Sequence, residues 1–256
     1  MSRSVELLKK RYLKNIKKNP DLFIGIELEF PIVNLEGKAT DGEVVKDLFR
    51  YLPSVLGFTI EKVDDFRNPI QLFDPVSQDT ILFEVAYTTI EFAFGKAESI
   101  QEVEERFNFY MATIQNKLGE ANHAIVGCGL HPNWDKNENC PVAFPRYQML
   151  MDYLNLSRSK TSRGLHDFPE YGAFICGSQV QLDVSRSNYL RVINAFTQIE
   201  AAKAYLFANS EFSGGQIGIP KFQEIFFGKN PCMVSIQRML VSMLDSLKMR
   251  MIFWIT

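Results

Sequence analysis

The sequence predicts an α+β protein in which the strands form an antiparallel sheet. Several short segments alternate apolar and polar residues, as half-buried strands do, and two of them are close enough to form a hairpin. Between these segments lie longer stretches with apolar residues at helical spacing. Because strands and helices do not alternate one by one along the chain, this pattern favours α+β over a doubly wound parallel sheet.

The first two predicted elements are a helix and a strand. Residues 5–18 form a basic amphipathic segment, and we expect its helix to end before Pro20 because proline interrupts helical hydrogen bonding. The next segment, FIGIELEF (23–30), alternates strictly, with Glu27 and Glu29 on one face and apolar residues on the other. This period of two predicts a half-buried strand.

A hairpin and a long helix follow. The segment ILFEVAYTTIEFAF (81–94) predicts two short strands joined by a turn near residues 87–89. Ser99 is followed three residues later by Glu102, which is the spacing of a capping box at a helix N-terminus. Apolar residues then recur at helical spacing, so we expect the helix to continue to residues 117–119.

Four more elements are predicted in the second half of the chain. AIVGCGL (124–130) is a candidate strand, and residues 146–156 are predicted to form a helix after a proline. SQVQLDV (178–184) alternates polar and apolar residues and predicts another strand. Residues 188–209 have the apolar spacing of a long amphipathic helix.

The composition indicates a compact protein without extreme charge. The 256 residues include 28 Lys and Arg against 30 Asp and Glu, a net charge of −2, which argues against a nucleic-acid or polybasic membrane surface. No apolar run approaches the roughly 20 residues of a membrane helix, and the N-terminus has no apolar signal-peptide core. We therefore expect a cytoplasmic protein with neither a membrane nor a nucleic-acid partner.

Acidic residues occupy the polar faces of the predicted strands. Glu27 and Glu29 share one face, and the hairpin turn can bring Glu84 and Glu91 to a common face. If these strands join one sheet, four carboxylates come together, and two like charges 4 Å apart repel by about 4 kcal/mol at an effective dielectric of about 20. Oxygen ligands select hard cations, so the cluster predicts a Mg²⁺ site, with Mn²⁺ or Ca²⁺ less favoured.

Further polar residues extend this candidate site, and each has a structural alternative. Gln179 and Gln181 lie on the polar face of a third strand and offer neutral oxygen ligands or donors. Glutamates and glutamines are also what the solvated face of an antiparallel sheet carries. His131, beside a proline, can equally be a structural loop residue, and Arg146 can belong to an ordinary helix start.

Common nucleotide-binding and nucleophile motifs do not occur. The sequence has no GxxxxGK[ST], no GxGxxG opening a helix and no GxSxG. Its three histidines and four cysteines show no zinc-site spacing. An ATP-dependent enzyme with this sequence would hold the nucleotide through metal ions on carboxylates instead of a glycine-rich loop.

Six segments, in this order along the chain, resemble the glutamate–cysteine ligases, within the wider group of γ-glutamate carboxylate–amine ligases. They are GIELEF (25–30), ILFEVAYTTIEFAFG (81–95), GCGLHPNW (127–134), PRYQMLMDYL (145–154), CGSQVQLDVS (176–185) and YLFANSEFSGG (205–215). The resemblance implies a glutamine-synthetase-like half-barrel of antiparallel strands with helices on its outer face. It also implies a reaction in which ATP phosphorylates the γ-carboxylate of L-glutamate and the amine of L-cysteine attacks the acyl phosphate.

The resemblance also implies site residues. It places the metal ligands at two acidic pairs, Glu27 and Glu29, and Glu84 and Glu91. It implies Mg²⁺ as the metal ion, with Mn²⁺ as an alternative. The residues predicted to bind the nucleotide or substrate are Gln179, Gln181, His131 and Arg146.

The resemblance stops after Gly215, so we expect a partial catalytic domain at 1–216 and a divergent tail at 217–256. The family's catalytic arginine is expected beyond the matching region, and turnover is expected to be low or lost without it. Permitted codons allow an alternative reading frame with an Arg-x-x-x-Trp segment, which suggests a frameshift near residues 218–221. A genuine amphipathic C-terminal helix around residues 236–247 is the alternative.

Two other functions stay open at this point. One is a ligase that joins glutamate to a different amine, with the same four glutamates and another acceptor pocket. The other is a non-catalytic protein that retains the ability to bind Mg²⁺ and ATP.

Overall fold

The structure is a computed structural model that describes residues 3–159 and 172–207. The helices of this part of the chain are α1 (Arg3–Leu13), α2 (Gly42–Leu56), α3 (Ile100–Gly119), α4 (Pro145–Ser159) and α5 (Tyr189–Phe207). Its strands are β1 (Ile24–Asn34), β2 (Thr59–Val63), β3 (Pro69–Phe73), β4 (Thr80–Phe83), β5 (Thr89–Ala93), β6 (His123–Ile125) and β7 (Ser178–Leu182). The predicted α+β class is confirmed.

These strands form one open antiparallel sheet in the order β2-β3-β4-β5-β1-β6, and β7 also pairs with β1. The long β1 therefore has β5 along one edge and β7 followed by β6 along the other. The predicted hairpin at 81–94 forms as β4 and β5, and the strands predicted at 23–30 and 178–184 form as β1 and β7. All the strands that carry candidate site residues thus meet at or beside β1.

Helices α2 and α3 pack on one face of the sheet. They contribute to a single buried apolar cluster, formed by Val45, Leu48, Phe49 and Leu52 of α2, Val103, Ile114 and Leu118 of α3, and Ile81, Phe83, Ile90 and Phe92 of the β4–β5 hairpin. Side chains alternate between the two faces of a strand. The glutamates at alternate positions, Glu27, Glu29 and Glu91, therefore lie on the face opposite to these helices.

The predicted capping residues meet at the start of α3. Ser99 Oγ accepts a hydrogen bond from the Glu102 N–H at 3.2 Å, and a Glu102 carboxylate oxygen accepts one from the Glu98 N–H at 3.1 Å. Both bonds satisfy backbone donors at the helix N-terminus.

Replacing Ser99 with alanine is expected to lower the free energy of unfolding by about 1 kcal/mol, because an N–H in the first turn loses its acceptor. Urea unfolding measures this change. Ser54→Ala is the matched control, since the exposed Ser54 hydroxyl donates to the Tyr51 carbonyl inside α2 and its loss should change stability by less than about 0.5 kcal/mol. Equal losses in both variants would contradict the capping role.

Two predicted elements are shorter in the structure. The first helix ends at Leu13. Beyond it, Lys17 pairs with Asp21 at 2.9 Å and with Asp183 at 3.6 Å, next to β7. The strand predicted at 124–130 is limited to β6, since the edge of β1 at residues 24–28 is already taken by β7. The chain beyond β6 pairs elsewhere, with the Gly129 carbonyl accepting from the Cys176 N–H at 3.0 Å.

Three elements were not predicted. Helix α2 has recognisable signals, with Asp41 as N-cap accepting from the Glu43 N–H and Gly57 ending the helix at φ 76°, a conformation that glycine adopts without strain. Strand β2 is exposed at four of its five residues and therefore lacks the alternation of a half-buried strand. Strand β3 pairs with β2 and was missed together with it.

The predictions for the tail lie outside the described residues. These are the divergent segment at 217–256, the frameshift near 218–221 and the alternative helix around 236–247; the boundary at residue 216 also stays a prediction. Among residues 3–159 and 172–207, no helix has both the length and the apolar character needed to cross a membrane.

Candidate active site

The register of the central strands brings the predicted carboxylates together. Glu29 of β1 lies directly opposite Glu91 of β5, and Glu27 lies opposite Gln179 of β7. Directly opposed residues of an antiparallel pair project from the same face. Three acidic residues and an amide from three strands therefore occupy one surface, as the alternation in the sequence predicted.

Glu84 joins this group from the hairpin turn. It follows β4, and its N–H donates to the Thr89 carbonyl at 3.2 Å, which continues the β4–β5 ladder by one step. Glu84 is two residues after Leu82, which lies opposite Glu91, so Glu84 projects from the same face of the sheet as Glu91. The carboxyl groups of Glu84 and Glu91 interact, and this interaction lowers the pKa of Glu84 and raises the pKa of Glu91.

The burial of these acids makes them hold protons unusually well. Burial, followed by the charges of Glu84, Glu29 and Glu27, raises the pKa of Glu91 to about 8. Burial also raises the pKa of Glu29 to about 7, although a hydrogen bond from the Gly177 N–H opposes the shift. The pKa of Glu84 is raised by burial and lowered by the hydrogen bond with Glu91 and the charge of Arg146. Ionising all of these acids would place like charges close together where burial already disfavours charge, and protonation reduces this cost.

The chain before and at the start of α4 braces the turn that carries Glu84. The Tyr147 hydroxyl donates to the Phe83 carbonyl at 2.9 Å, and the Val142 N–H donates to the Val85 carbonyl at 2.8 Å. Burial and then the charge of Glu84 raise the pKa of Tyr147, whose ring lies next to the acids. Tyr147 was not among the predicted site residues, since it could equally belong to an ordinary helix start. Its position beside Arg146, in a segment of the family resemblance, is the sequence signal for it.

The two predicted glutamines act as donors to the carboxylates. The Gln181 amide donates to Glu27 at 2.6 Å and the Gln179 amide to Glu29 at 3.4 Å. The Gly177 N–H also donates to Glu29, at 2.7 Å. The structure thus joins both glutamines to the acidic face, and their predicted contact with a nucleotide or substrate stays a prediction.

His131 and Arg146 have different surroundings. His131 is fully buried, with Nε2 2.9 Å from the Ile32 carbonyl and Nδ1 accepting from the Asn133 N–H at 3.1 Å. Burial lowers its pKa, so the ring is neutral. This geometry favours the structural alternative for His131 over a substrate contact. Arg146 is exposed and close enough to lower the pKa of Glu84, so it borders the acidic face.

The donor set of the acidic face fits a hard cation, but its oxygens do not converge on one point in this arrangement. Within the described part of the chain, no three His, Cys, Asp or Glu side chains are placed to coordinate a common ion. Oxygens of Glu27 and Glu29 accept the hydrogen bonds described above. Oxygen-only ligands and closely spaced acids are nevertheless what Mg²⁺ or Mn²⁺ requires. A cation binding here would favour the ionised form of these acids.

The raised pKa values of Glu29 and Glu91 predict that the stability of the protein depends on pH. Because the pKa values of Glu29 and Glu91 in the folded protein lie above those of the unfolded chain, the stability they contribute is present below about pH 4.5 and is lost as pH rises through about 7 and 8. The melting temperature of protein stripped of metal should therefore fall between pH 6 and 9. Mg²⁺ should raise it more at pH 9 than at pH 6, because binding requires deprotonated ligands.

Thermal unfolding in EDTA and in Mg²⁺ across this pH range tests the expectation. Glu91→Gln, which removes the carboxyl group whose pKa is raised to about 8, should flatten the profile in EDTA. A wild-type profile with no slope between pH 6 and 9 would contradict the elevated pKa values.

The comparison with known protein families agrees with the resemblance carried by the sequence segments. A family model described as glutamate-cysteine ligase family 2 (GCS2) matches residues 23–225 of the 256-residue chain. The match includes all four glutamates, both glutamines, His131 and Arg146. It begins just after α1 and extends past residue 215, where the resemblance of the quoted segments stops. No curated protein matches the chain.

Proposed function

The chain belongs to glutamate-cysteine ligase family 2 (GCS2), and from that membership we propose that it joins the γ-carboxylate of L-glutamate to the amine of L-cysteine at the expense of ATP. The γ-phosphoryl group of ATP passes to the glutamate carboxylate, and ADP leaves. The cysteine amine then attacks the acyl carbon, phosphate leaves and the amine gives up a proton. The product is γ-glutamylcysteine.

The observation that carries this proposal is the cluster of buried and half-buried acids on one face of the sheet. Glu29 and Glu91 lie opposite each other on the paired strands β1 and β5, and the carboxyl group of Glu84 interacts with that of Glu91. A merely solvated sheet face would leave its glutamates exposed, whereas Glu91 is only 9% exposed. Acids kept close together at this cost support a role in binding cations.

The residues of this face have separate roles in the proposal. Glu27, Glu29, Glu84 and Glu91 would hold Mg²⁺, with Mn²⁺ as a substitute. When bound, Mg²⁺ supplies positive charge against the oxygens of the phosphoryl group in transfer. Arg146, exposed beside Glu84, adds a fixed positive charge that can orient an anionic substrate. Tyr147 holds the Phe83–Glu84 backbone in place through its hydrogen bond.

Incubation of the purified chain with ATP, Mg²⁺, L-glutamate and L-cysteine tests the proposed reaction. Mass spectrometry should detect γ-glutamylcysteine, formed at the low rate expected from the sequence, and one phosphate released for each molecule formed. A panel in which other amines replace cysteine identifies a ligase with a different acceptor. Calorimetric binding of Mg²⁺ and ATP without any product would favour the non-catalytic alternative, and the absence of both binding and product would overturn the proposal.

A further inference from the structure

Gly25 lies directly opposite Gln181 across the β1–β7 pair. A Cβ atom at residue 25 would be 2.8 Å from Gln181 Oε1 and 3.3 Å from Gln181 Cβ. A Cβ atom essentially never lies below 3.0 Å from another atom, so a side chain at residue 25 would make the flexible end of Gln181 shift from its present position. From this position the Gln181 amide reaches diagonally along β1 and donates to Glu27 at 2.6 Å.

We infer that Gln181, seated over Gly25, is a positioning residue that holds the Glu27 carboxylate ready for a divalent cation. The inference rests on the proposed function, because Glu27 is one of the four proposed metal ligands. Within residues 3–159 and 172–207, Gln181 is the hydrogen-bond donor to this carboxylate. Glu29 is held differently, since the Gly177 N–H donates to it at 2.7 Å and Gln179 lies farther away at 3.4 Å.

Holding Glu27 affects cation binding for two physical reasons. A glutamate side chain loses rotamer freedom when it binds an ion, and a carboxylate that is already held loses less. The amide donates to only one of the two carboxylate oxygens, Oε1 of Glu27, so the contact holds the group while the other oxygen can still coordinate a cation. Removing such a partner behind a metal ligand typically weakens metal binding by about 10–100-fold.

A double-mutant cycle tests the contact. The variants are Gly25→Ala, Gln181→Ala and the two combined, and the probe is Mn²⁺ alone, with affinity measured by electron paramagnetic resonance without nucleotide. Each single variant should bind Mn²⁺ about 10-fold more weakly than the wild type. The double variant should bind no more weakly than Gln181→Ala, because an alanine at residue 25 has no glutamine left to displace.

Two controls separate positioning from general damage. Gln71→Ala removes an amide that donates to the exposed Glu61 at 2.5 Å on the β2–β3 pair, and this variant should bind Mn²⁺ like the wild type. Melting temperatures in EDTA report folding; Gln181→Ala should melt within a few degrees of the wild type, and it carries the test alone if Gly25→Ala does not fold.

The possible results are distinct. Wild-type Mn²⁺ affinity in Gln181→Ala, combined with weak binding by Glu84→Gln, would overturn the positioning role and leave the proposed metal site standing. Independent, additive losses from Gly25→Ala and Gln181→Ala would also overturn it. No Mn²⁺ binding by the wild-type chain would overturn the metal site and the positioning role together.

Discussion

Glu91→Gln should weaken Mg²⁺ binding at least tenfold, or about 1.4 kcal/mol, and at the same time raise the melting temperature of protein in EDTA at pH 8. The first effect follows because the face loses a charged oxygen ligand. The second follows because burial and the neighbouring acids raise the pKa of Glu91 to about 8, so its ionisation opposes folding in this pH range. The amide of a glutamine at residue 91 can donate a hydrogen bond to the Glu84 carboxylate without taking up a proton from solvent.

Isothermal titration calorimetry with Mg²⁺ and thermal unfolding in EDTA measure the two effects. Glu84→Gln should change both quantities in the same direction, because its carboxyl group is the hydrogen-bond partner of Glu91. Glu61→Gln, at an exposed glutamate of β2, is the control and should change neither. A residue of a binding site typically loses affinity and gains stability when its charge is removed. A Glu91→Gln variant that instead loses stability and keeps its Mg²⁺ affinity would show that Glu91 stabilises the fold and does not bind Mg²⁺.

Asp79→Ala should lower the free energy of unfolding by about 3–5 kcal/mol, which is the usual result of removing one partner from a buried ion pair. Asp79 is only 1% exposed and accepts hydrogen bonds from Arg106 at 2.8 Å, the Tyr110 hydroxyl at 2.8 Å and the Gly95 N–H at 2.7 Å. The aspartate thus joins the β3–β4 connection to α3. Its removal leaves a buried guanidinium group without its acceptor.

Urea unfolding in EDTA measures this loss independently of any cation. Glu36→Ala is the matched control, since Glu36 pairs with Lys38 at 2.5 Å on the exposed surface, where solvent screening leaves such pairs little effect on stability. A loss below about 1 kcal/mol in Asp79→Ala would show that Arg106 and Tyr110 find other partners.

Much of the site could be predicted because its signals are local. The alternation in FIGIELEF places Glu27 and Glu29 on one face whatever the neighbouring strands are, since the period of a strand is two. The hairpin that carries Glu84 and Glu91 is a local signal too, because both residues lie in one short segment that predicts two strands and a turn. Ser99 and Glu102 likewise marked the start of α3 through spacing alone.

Other features depend on strands that are far apart in the sequence. The contact of Gln181 with Gly25 and Glu27 joins residues about 150 positions apart, and a shift of one residue in the β1–β7 register would send Gln181 to the other face. His131 illustrates the same limit, because its sequence allowed a ligand or a structural role and its burial against the Ile32 carbonyl favours the structural one.

The sequence by itself determined the α+β class, the strands that carry the acids and the family to which the chain is similar. These follow from residue periodicity and from the order of short motifs along the chain, which can be read without knowing the packing. Only the tertiary structure decided that Glu91 lies opposite Glu29, that the carboxyl group of Glu84 interacts with that of Glu91 and that Gln181 lies in the space left by Gly25. These properties arise from strand register and burial, which exist only after distant segments have packed together.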